Sequence, residues 1–320
     1  MKKSLLYVAL SGVVLASCDR SDDNGNGQPT SFPTDNLVVE NKQKVLLSET
    51  TGAWCQYCPN GALAIKEAEA AYGDDIIAVA LHNNDDLTNP TSEDWEVNYP
   101  TTGVPNFYVG NVDAGQSIDA EIVAQRGQEP VMGVAHTVVE SATAYTVYAK
   151  VQVFKNSTTS NYLIQSYLLL DAVQAKGYPG GIDLTQVSSV PIVNQGNTTT
   201  GSYWTQNIDA YVGNGVSIDT IRVVTANERY FHEHSLYERS NTDLSWGASL
   251  DTINPFGMEY YAGDILGTRF TPIRLEIPKK SLAPFETGVH ILTVIWKFRQ
   301  DGNLGYDYVN GFVSKVGGTN

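Results

Sequence analysis

Cys55 and Cys58 are separated by two residues, Gln56 and Tyr57, and followed at once by Pro59. Proline suits the first turn of a helix, where its missing N–H leaves no internal bond unmade, so the pair is expected at a helix start. Two thiols at this spacing can close a tight disulfide. When they are reduced, the first thiol meets unpaired backbone N–H groups and the positive end of the helix dipole, which favour thiolate over thiol. Cys55, expected at the more exposed entrance, is the candidate attacking thiolate. Cys58, one helical turn later, is placed to attack the mixed disulfide and release the partner. The same pair also fits a structural disulfide in an oxidising compartment. Metal binding has less support, because two cysteines without evident neighbouring ligands do not make a zinc cluster.

Elements of the right kind surround the pair. Val45-Leu46-Leu47 ends a predicted strand near Glu49, and Thr50 to Tyr57 forms a turn. From Asn60 to Tyr72, residues Leu63, Ile65, Ala68, Ala71 and Tyr72 mark an approximately helical apolar stripe, with Gly73 as a stop. Ile76 to Leu81 is nearly continuously apolar, as expected for a strand covered on both faces. Residues 82–100 are polar and interrupted by Pro90 and Pro100, with a short helix predicted over Glu93 to Asn98. Phe107 to Val109 is the next predicted strand, and Ile118 to Arg126 a last helix capped by Ser117. Together these make a compact α/β unit over residues 36–130.

The segment Gly52-Ala53-Trp54-Cys55-Gln56-Tyr57-Cys58-Pro59 resembles the active site of the thioredoxin-like fold, including Trp54 before the first cysteine. The resemblance implies roles for three more residues. Glu49, six residues before Cys55, lies near the position where thioredoxins carry a buried acid and would take a proton from Cys58 through a water. Gly103-Val104-Pro105 resembles the loop before the family's cis-proline. Pro105 would face the cysteines, leaving the Val104 backbone and Trp54 to meet an extended peptide-like substrate. Gln56-Tyr57 stands where thioredoxins have Gly-Pro, so neither redox potential nor substrate carries over. This chemistry needs no organic cofactor and no metal.

Beyond Pro130 the pattern becomes β-rich. Ala144 to Phe154 alternates, with Tyr145, Val147, Ala149, Val151 and Val153 on one side, the period of a half-buried strand. Further strands are predicted at Val134–Val139, Tyr162–Leu170, Ile221–Ala226, Ile291–Phe298 and Tyr306–Val313, joined by Gly/Asn/Ser-rich connections such as Gly196–Gly201. Residues 131–320 are therefore expected to form one β-rich, sandwich-like domain. His232 and His234 would share a face if their segment is a strand, with Glu238 nearby, but packing or hydrogen bonding is the better expectation than a metal site. Trp204, Trp246 and Trp296 can line a binding surface, although buried sandwich aromatics are the default. His82 follows a predicted strand without a catalytic spacing and is expected to be structural.

With 35 acidic against 20 basic residues and a net charge of -15, the chain is ill suited to non-specific contact with nucleic acid or an anionic membrane surface. Its start is a targeting signal. Lys2 and Lys3 precede a short apolar run, and Leu15-Ala16-Ser17-Cys18 resembles a bacterial lipobox, implying a signal peptide over residues 1–17 and lipidation of Cys18. Residues 18–35 hold that cysteine and an Asp/Asn/Gly/Ser-rich tether. The lipobox, the Glu-Thr-Thr-Gly-Ala-Trp-Cys turn and the β-rich extension make the whole chain resemble the Omp28-related lipoproteins of Bacteroidetes, implying an outer-membrane lipoprotein of the cell envelope. Two functions fit. One is thiol–disulfide exchange on a protein or peptide partner with a redox partner. The other is a non-enzymatic binding or adhesion lipoprotein that uses the β-rich domain.

Overall fold

The computed structural model describes residues 31–52, 55, 58–85, 87–158, 161–171, 173, 232–279, 288–299 and 305–317. The elements all lie within one compact unit, Pro33–Asn320. Chain order begins β1 (Val45–Thr51), α1 (Cys58–Tyr72), β2 (Ile76–His82), α2 (Pro90–Asn98), β3 (Asn106–Val109), β4 (Val112–Gly115) and α3 (Asp119–Arg126). Every residue of β1 and β2 is buried, because helices cover both faces of this part of the sheet. The two strands are parallel, in register from Val45 opposite Ile76 to Thr51 opposite His82, and β3 adds antiparallel on the other side of β1. Val45, Leu47, Ile76, Ala78, Phe107 and Val109 pack with Ile65 of α1 and Ile122 of α3. Leu46, Ile77, Val79 and Leu81 point to the opposite face, towards Trp95 of α2. This is the thioredoxin-like α/β arrangement that the sequence predicts.

Three local details differ from expectation. The buried stripe of α1 is Cys58, Gly61, Ile65 and Ala68, whereas Ala71 faces outward. Pro90 does not interrupt α2 but begins it. Asn89 is the cap, its Oδ1 accepting from the N–H groups of Thr91 and Ser92 at 3.0 and 3.1 Å, while Ser92 Oγ accepts from the N–H of Asn89. Ser117 does not cap α3; the capping position is Ile118, with no side-chain bond.

The β-rich part comprises β5 (Met132–Glu140), β6 (Ala144–Val153), β7 (Tyr162–Asp171), β8 (Ser235–Arg239), β9 (Ala248–Ser249), β10 (Ile265–Leu266), β11 (Ile273–Pro278), β12 (Gly288–Arg299) and β13 (Gly305–Lys315). In β6 the expected alternation holds: Tyr145, Val147, Ala149, Val151 and Val153 are all buried. The predicted strands at 134–139, 162–170, 291–298 and 306–313 fall within β5, β7, β12 and β13; Ile221–Ala226 and Gly196–Gly201 lie outside the described residues.

β6 is the centre of a four-stranded sheet, with β5 along one edge and β10 and β11 along the other. It packs face to face on β7 and β12, where Val134, Val147 and Val151 meet Ile164, Leu168, Ile291 and Ile295. The facing strands belong to the same sheet as the thioredoxin-like strands. That sheet runs β13-β12-β7-β8-β2-β1-β3-β4, with β9 beside β7, and β8 pairs in parallel with β2 through Ala80 and Ser235. It also curls. β13 and β1 stand far apart in strand order, yet Tyr308 Oη donates to the carbonyl of Lys44 at 3.0 Å, and Asn310 Nδ2 donates to the carbonyls of Lys42 and Met132.

The concave side of the curl is filled by aromatic rings. Trp95 packs edge-on against Tyr167 and Trp296, each with ring centroids 5.1 Å away, and Trp246 stacks on Tyr306 at 4.4 Å. Trp246 and Trp296 are thus buried, as the default expectation had it, but beneath α2 rather than between the two sheets. Trp204 lies outside the described residues. Among those residues, no helix is long and apolar enough to cross a membrane.

Candidate active site

β1 delivers the chain to a turn at the carboxyl edge of the parallel strands, and α1 departs from it at Cys58. Cys55 and Cys58 form a disulfide, with Cα atoms 5.5 Å apart. The N–H of Cys55 donates to the carbonyl of Gly52 at 2.9 Å, closing the turn. The N–H of Cys58 donates to Cys55 Sγ at 3.1 Å. A sulfur held by an N–H in the first turn of a helix is favoured as an anion once the disulfide opens, which eases its departure as a leaving group. The expectation that Cys55 stands at a more exposed entrance is corrected: Cys55 is 2% exposed and Cys58 3%, so access does not distinguish them. Helix geometry does. Cys55 precedes α1, whereas Cys58 belongs to its sheet-facing stripe.

Beneath that stripe lies Glu49, 3% exposed. Its Oε1 has no hydrogen-bond partner among the described residues, and burial pushes its carboxyl from 4.5 up to about 8. That brings its proton affinity near the ordinary thiol value of about 8.5, where proton transfer to and from a cysteine is nearly balanced. Gly61, one turn after Cys58, explains how helix and acid fit together. A Cβ at Gly61 would collide with Glu49 Oε1 and lie 3.1 Å from Pro105 Cβ. Glycine costs a helix interior about 1 kcal/mol, and here it permits a contact that no other residue allows.

Gly61 thereby marks where Pro105 sits as well. The Val104–Pro105 peptide is cis, Pro105 is buried and Val104 half-buried, and the exposed Thr102 and Gly103 lead into them. The register of β3 with β1 sets Asn106 opposite Thr50 and Phe107 opposite Glu49, so the proline enters at the cysteine-bearing edge. Glu49, Cys58 and Pro105 are thus gathered around Gly61. Trp54 and Cys18 lie outside the described residues.

His82, expected to be structural, is held within the fold. It ends β2 opposite Thr51, is fully buried, and its Nδ1 lies 2.7 Å from Asp85 Oδ2, whose side chain is also fully buried. Asp85 Oδ1 accepts from the N–H of Leu87 at 2.9 Å, which fixes the carboxylate. A His at a strand end with Asp three residues on was the available signal. The ring of His232 meets that of His82 edge-on at 4.6 Å, and burial lowers His232 from 6.5 to about 3, keeping it neutral. His234 takes another direction. Its φ of 54° breaks strand geometry, β8 starts one residue later, and its Nε2 lies 3.0 Å from Glu69 Oε1. The shared face imagined for His232 and His234 does not form. Among the described residues no group of three or more His, Cys, Asp or Glu is arranged to hold a metal ion.

No family model matches the chain, and no curated protein matches it. Two solved structures are similar to it. Protein AGR_C_4864 of Agrobacterium tumefaciens aligns over 88% of this chain and 98% of that one at 10% identity, with a TM-score of 0.45. HBP35 of Porphyromonas gingivalis aligns over 86% of this chain and 76% of that one at 16% identity, with a TM-score of 0.51. An alignment covering 86% of the chain cannot be confined to either half, so the likeness to HBP35 is one of fold across the thioredoxin-like and the β-rich parts together.

Proposed function

We propose that this protein is a lipid-anchored thiol–disulfide exchange protein of the bacterial cell envelope, acting on a disulfide-bearing protein or peptide. The observation that carries the proposal is the cysteine pair at the start of α1, with the Cys58 N–H on Cys55 Sγ and a buried acid beneath Cys58. In the reducing direction, Cys55 thiolate attacks a substrate sulfur, forming a mixed disulfide and expelling the other substrate sulfur as thiolate. Cys58 loses its proton to the Glu49 carboxylate and attacks Cys55 Sγ. The intramolecular disulfide re-forms and the second substrate sulfur departs. The Val104–Pro105 loop orients the substrate backbone, and Trp54 supplies an aromatic contact to the substrate. An external dithiol or disulfide partner resets the pair, and its potential sets the net direction.

Exchange requires a partner's sulfur to reach an atom that the folded chain covers, so turnover includes an opening step before attack. The same 2% exposure of Cys55 favours a second reading, in which the disulfide is a staple and the β-rich part binds a partner. Outer-membrane placement and acylation of Cys18 follow from the lipobox and the Omp28-related resemblance. They are tested by fatty-acid labelling and by mass spectrometry of the mature amino terminus, which Cys18→Ser should leave unmodified.

The deciding experiment is trapping. Cys55→Ser should abolish exchange with a disulfide-bearing peptide, while Cys58→Ser should accumulate a mixed disulfide through Cys55, because the attacking thiol survives and the resolving one does not. If the wild type exchanges no faster than a small-molecule thiol and neither variant traps peptide, the staple reading replaces this one.

A further inference from the structure

Exposed apolar side chains are not spread evenly over this molecule. Among the described residues eleven large hydrophobic side chains are exposed, and five of them, Phe256, Met258, Tyr261, Ile265 and Phe270, fall within the fifteen residues 256–270. All three aromatic members of the eleven are here, and Phe270 is 91% exposed. Single apolar residues on a surface need no explanation, whereas a gathering of them marks a contact surface.

The loops that carry these side chains are built to hold them outward. Buried Asn254 ties the first loop. Its Oδ1 accepts from the N–H of Phe256 at 3.1 Å, and its Nδ2 donates to the carbonyls of Gly257 and Glu259 at 3.1 and 2.8 Å. The rings of Phe256 and Tyr261 meet edge-on with centroids 6.2 Å apart. β10 follows, with Leu266 buried and Ile265 turned the other way. Gly267, at a φ of 83°, brings the chain so close to β6 that a Cβ there would strike the Ala149 carbonyl. Its N–H donates to the Thr271 carbonyl at 2.8 Å, closing the turn on which Phe270 stands. Loops pinned in this way lose little further freedom when they make a contact.

The amino-terminal segment joins the fold at the same place. Thr34 Oγ1 donates to the carbonyl of Gly267, at the base of the Phe270 turn. Lys150 Nζ on β6 donates to the carbonyls of Asp35 and Leu37 at 3.2 and 2.8 Å. Gln152, two residues along β6 and so on the same face as Lys150, is the cross-strand partner of Ile265. Val38, next after Leu37, is exposed as well. The fifteen residues from Asp19 to Pro33 separate Cys18 from Thr34, a stretch that spans at most about 55 Å when fully extended. A chain anchored at Cys18 is therefore tied to its bilayer through the edge on which the exposed aromatics stand.

We propose that Phe256, Met258, Tyr261, Ile265 and Phe270 form a face that rests on the phospholipid bilayer holding the anchor, with the aromatic side chains entering the boundary between headgroups and acyl chains. This rests on the lipid-anchor reading above. Aromatic side chains are favoured at that depth. The anchor supplies the attachment, so a contact too weak to hold the protein alone is enough, because tethering makes it intramolecular. Two acids lie within the run, which selects a zwitterionic surface over an anionic one. Both are engaged by the loop itself: Tyr261 Oη donates to Glu259, and the N–H of Tyr261 donates to Asp264 Oδ2 at 2.7 Å.

The test uses the acylated protein reconstituted in phosphatidylcholine vesicles. Phe270→Cys and Met258→Cys are each labelled with a fluorophore while Cys55 and Cys58 stay oxidised, and exposed Val97→Cys on α2 is the control. Lipid carrying a nitroxide high on its acyl chain should quench the labels at 270 and 258 by about half or more and leave the label at 97 within about a tenth of its unquenched value. If Phe270→Cys does not fold, Met258→Cys decides alone. Equal quenching at all three positions, or none at 270 and 258, would overturn the proposal. So would a change at 270 that appears without vesicles and grows with protein concentration, which would assign the face to a second copy of this chain. If native Cys18 carries no acyl group, the anchor reading fails. The same labelled variants, held on nickel-chelating vesicles by a histidine tag placed before Asp19, then decide by the same quenching whether the face meets lipid.

Discussion

Replacing Glu49 by Gln removes a carboxyl whose folded and unfolded states hold their proton differently, so its effect on stability must change with pH. In the fold the group titrates at about 8, against 4.5 ordinarily. Between those values the native state keeps a proton that the unfolded chain has released. The wild type is therefore at full relative strength below pH 4.5 and loses stability as pH rises through about 8. At about 1.4 kcal/mol per pH unit, the loss approaches about 5 kcal/mol at the alkaline end and more than half of that at neutrality. Relaxation and water entry make this a ceiling, so about 2–5 kcal/mol is the expected span. The assay is guanidinium unfolding of oxidised wild type and Glu49→Gln at a series of pH values from about 5 to 9. Every other titration cancels in the difference, and so does any fixed cost of burying the amide. The variant should gain on the wild type steadily as pH rises. A difference that stays flat within about 0.5 kcal/mol, or one that runs the other way, would refute both the buried-acid argument and the proton role built on it.

Gly61→Ala should destabilise the fold by about 1–3 kcal/mol despite alanine's better helix propensity, since its methyl meets Glu49 and Pro105; thermal unfolding measures it, and a stabilised variant would contradict the packing. Trp246→Ala should cost about 3–5 kcal/mol, because it empties a site stacked on Tyr306 and edge-on to Trp296 with centroids 4.9 Å apart; denaturant midpoints followed by far-UV circular dichroism report it. Burial lowers His136, bonded to Thr293 and Ser314, from 6.5 to about 3, so the native state stays neutral while the unfolded chain takes a proton. Its stabilising effect is complete above pH 6.5 and fades as pH falls towards 3. His136→Gln should consequently show a shallower acid limb than the wild type in pH-dependent unfolding.

The cysteine turn, Glu49 and the Val104–Pro105 loop were legible because their signals are local or lie at fixed intervals along a strand–turn–helix unit. The alternation of β6 was legible for a similar reason: one face packs on another sheet, so the apolar period survives intact in the sequence. β7 and β12 were recognisable as strands, but not where they go, since both faces are buried and their apolar runs carry no sidedness. α2 is hard to see in the sequence because its anchor is a single Trp95 on an otherwise polar segment, and because a proline such as Pro90 signals an interruption as readily as a helix start. The pairing of β2 with β8 was out of reach. It brings β8 alongside β2 in parallel across nearly half the chain's length, a choice made by tertiary packing of both faces.

That same pairing has a consequence for how the chain comes together in time. Until the segment carrying Ser235 has emerged, β2 remains an open sheet margin, its N–H and C=O groups offered to any strand nearby. A polypeptide that crosses a membrane amino end first therefore exposes its cysteine-bearing half before the piece that closes it has arrived. Contacts so distant along the chain form late and slowly, and the waiting half is the natural client of a chaperone. Truncation before residue 232 should yield a species that associates with itself instead of a small autonomous redox domain, and co-expression of the missing carboxyl-terminal piece in trans should rescue its solubility.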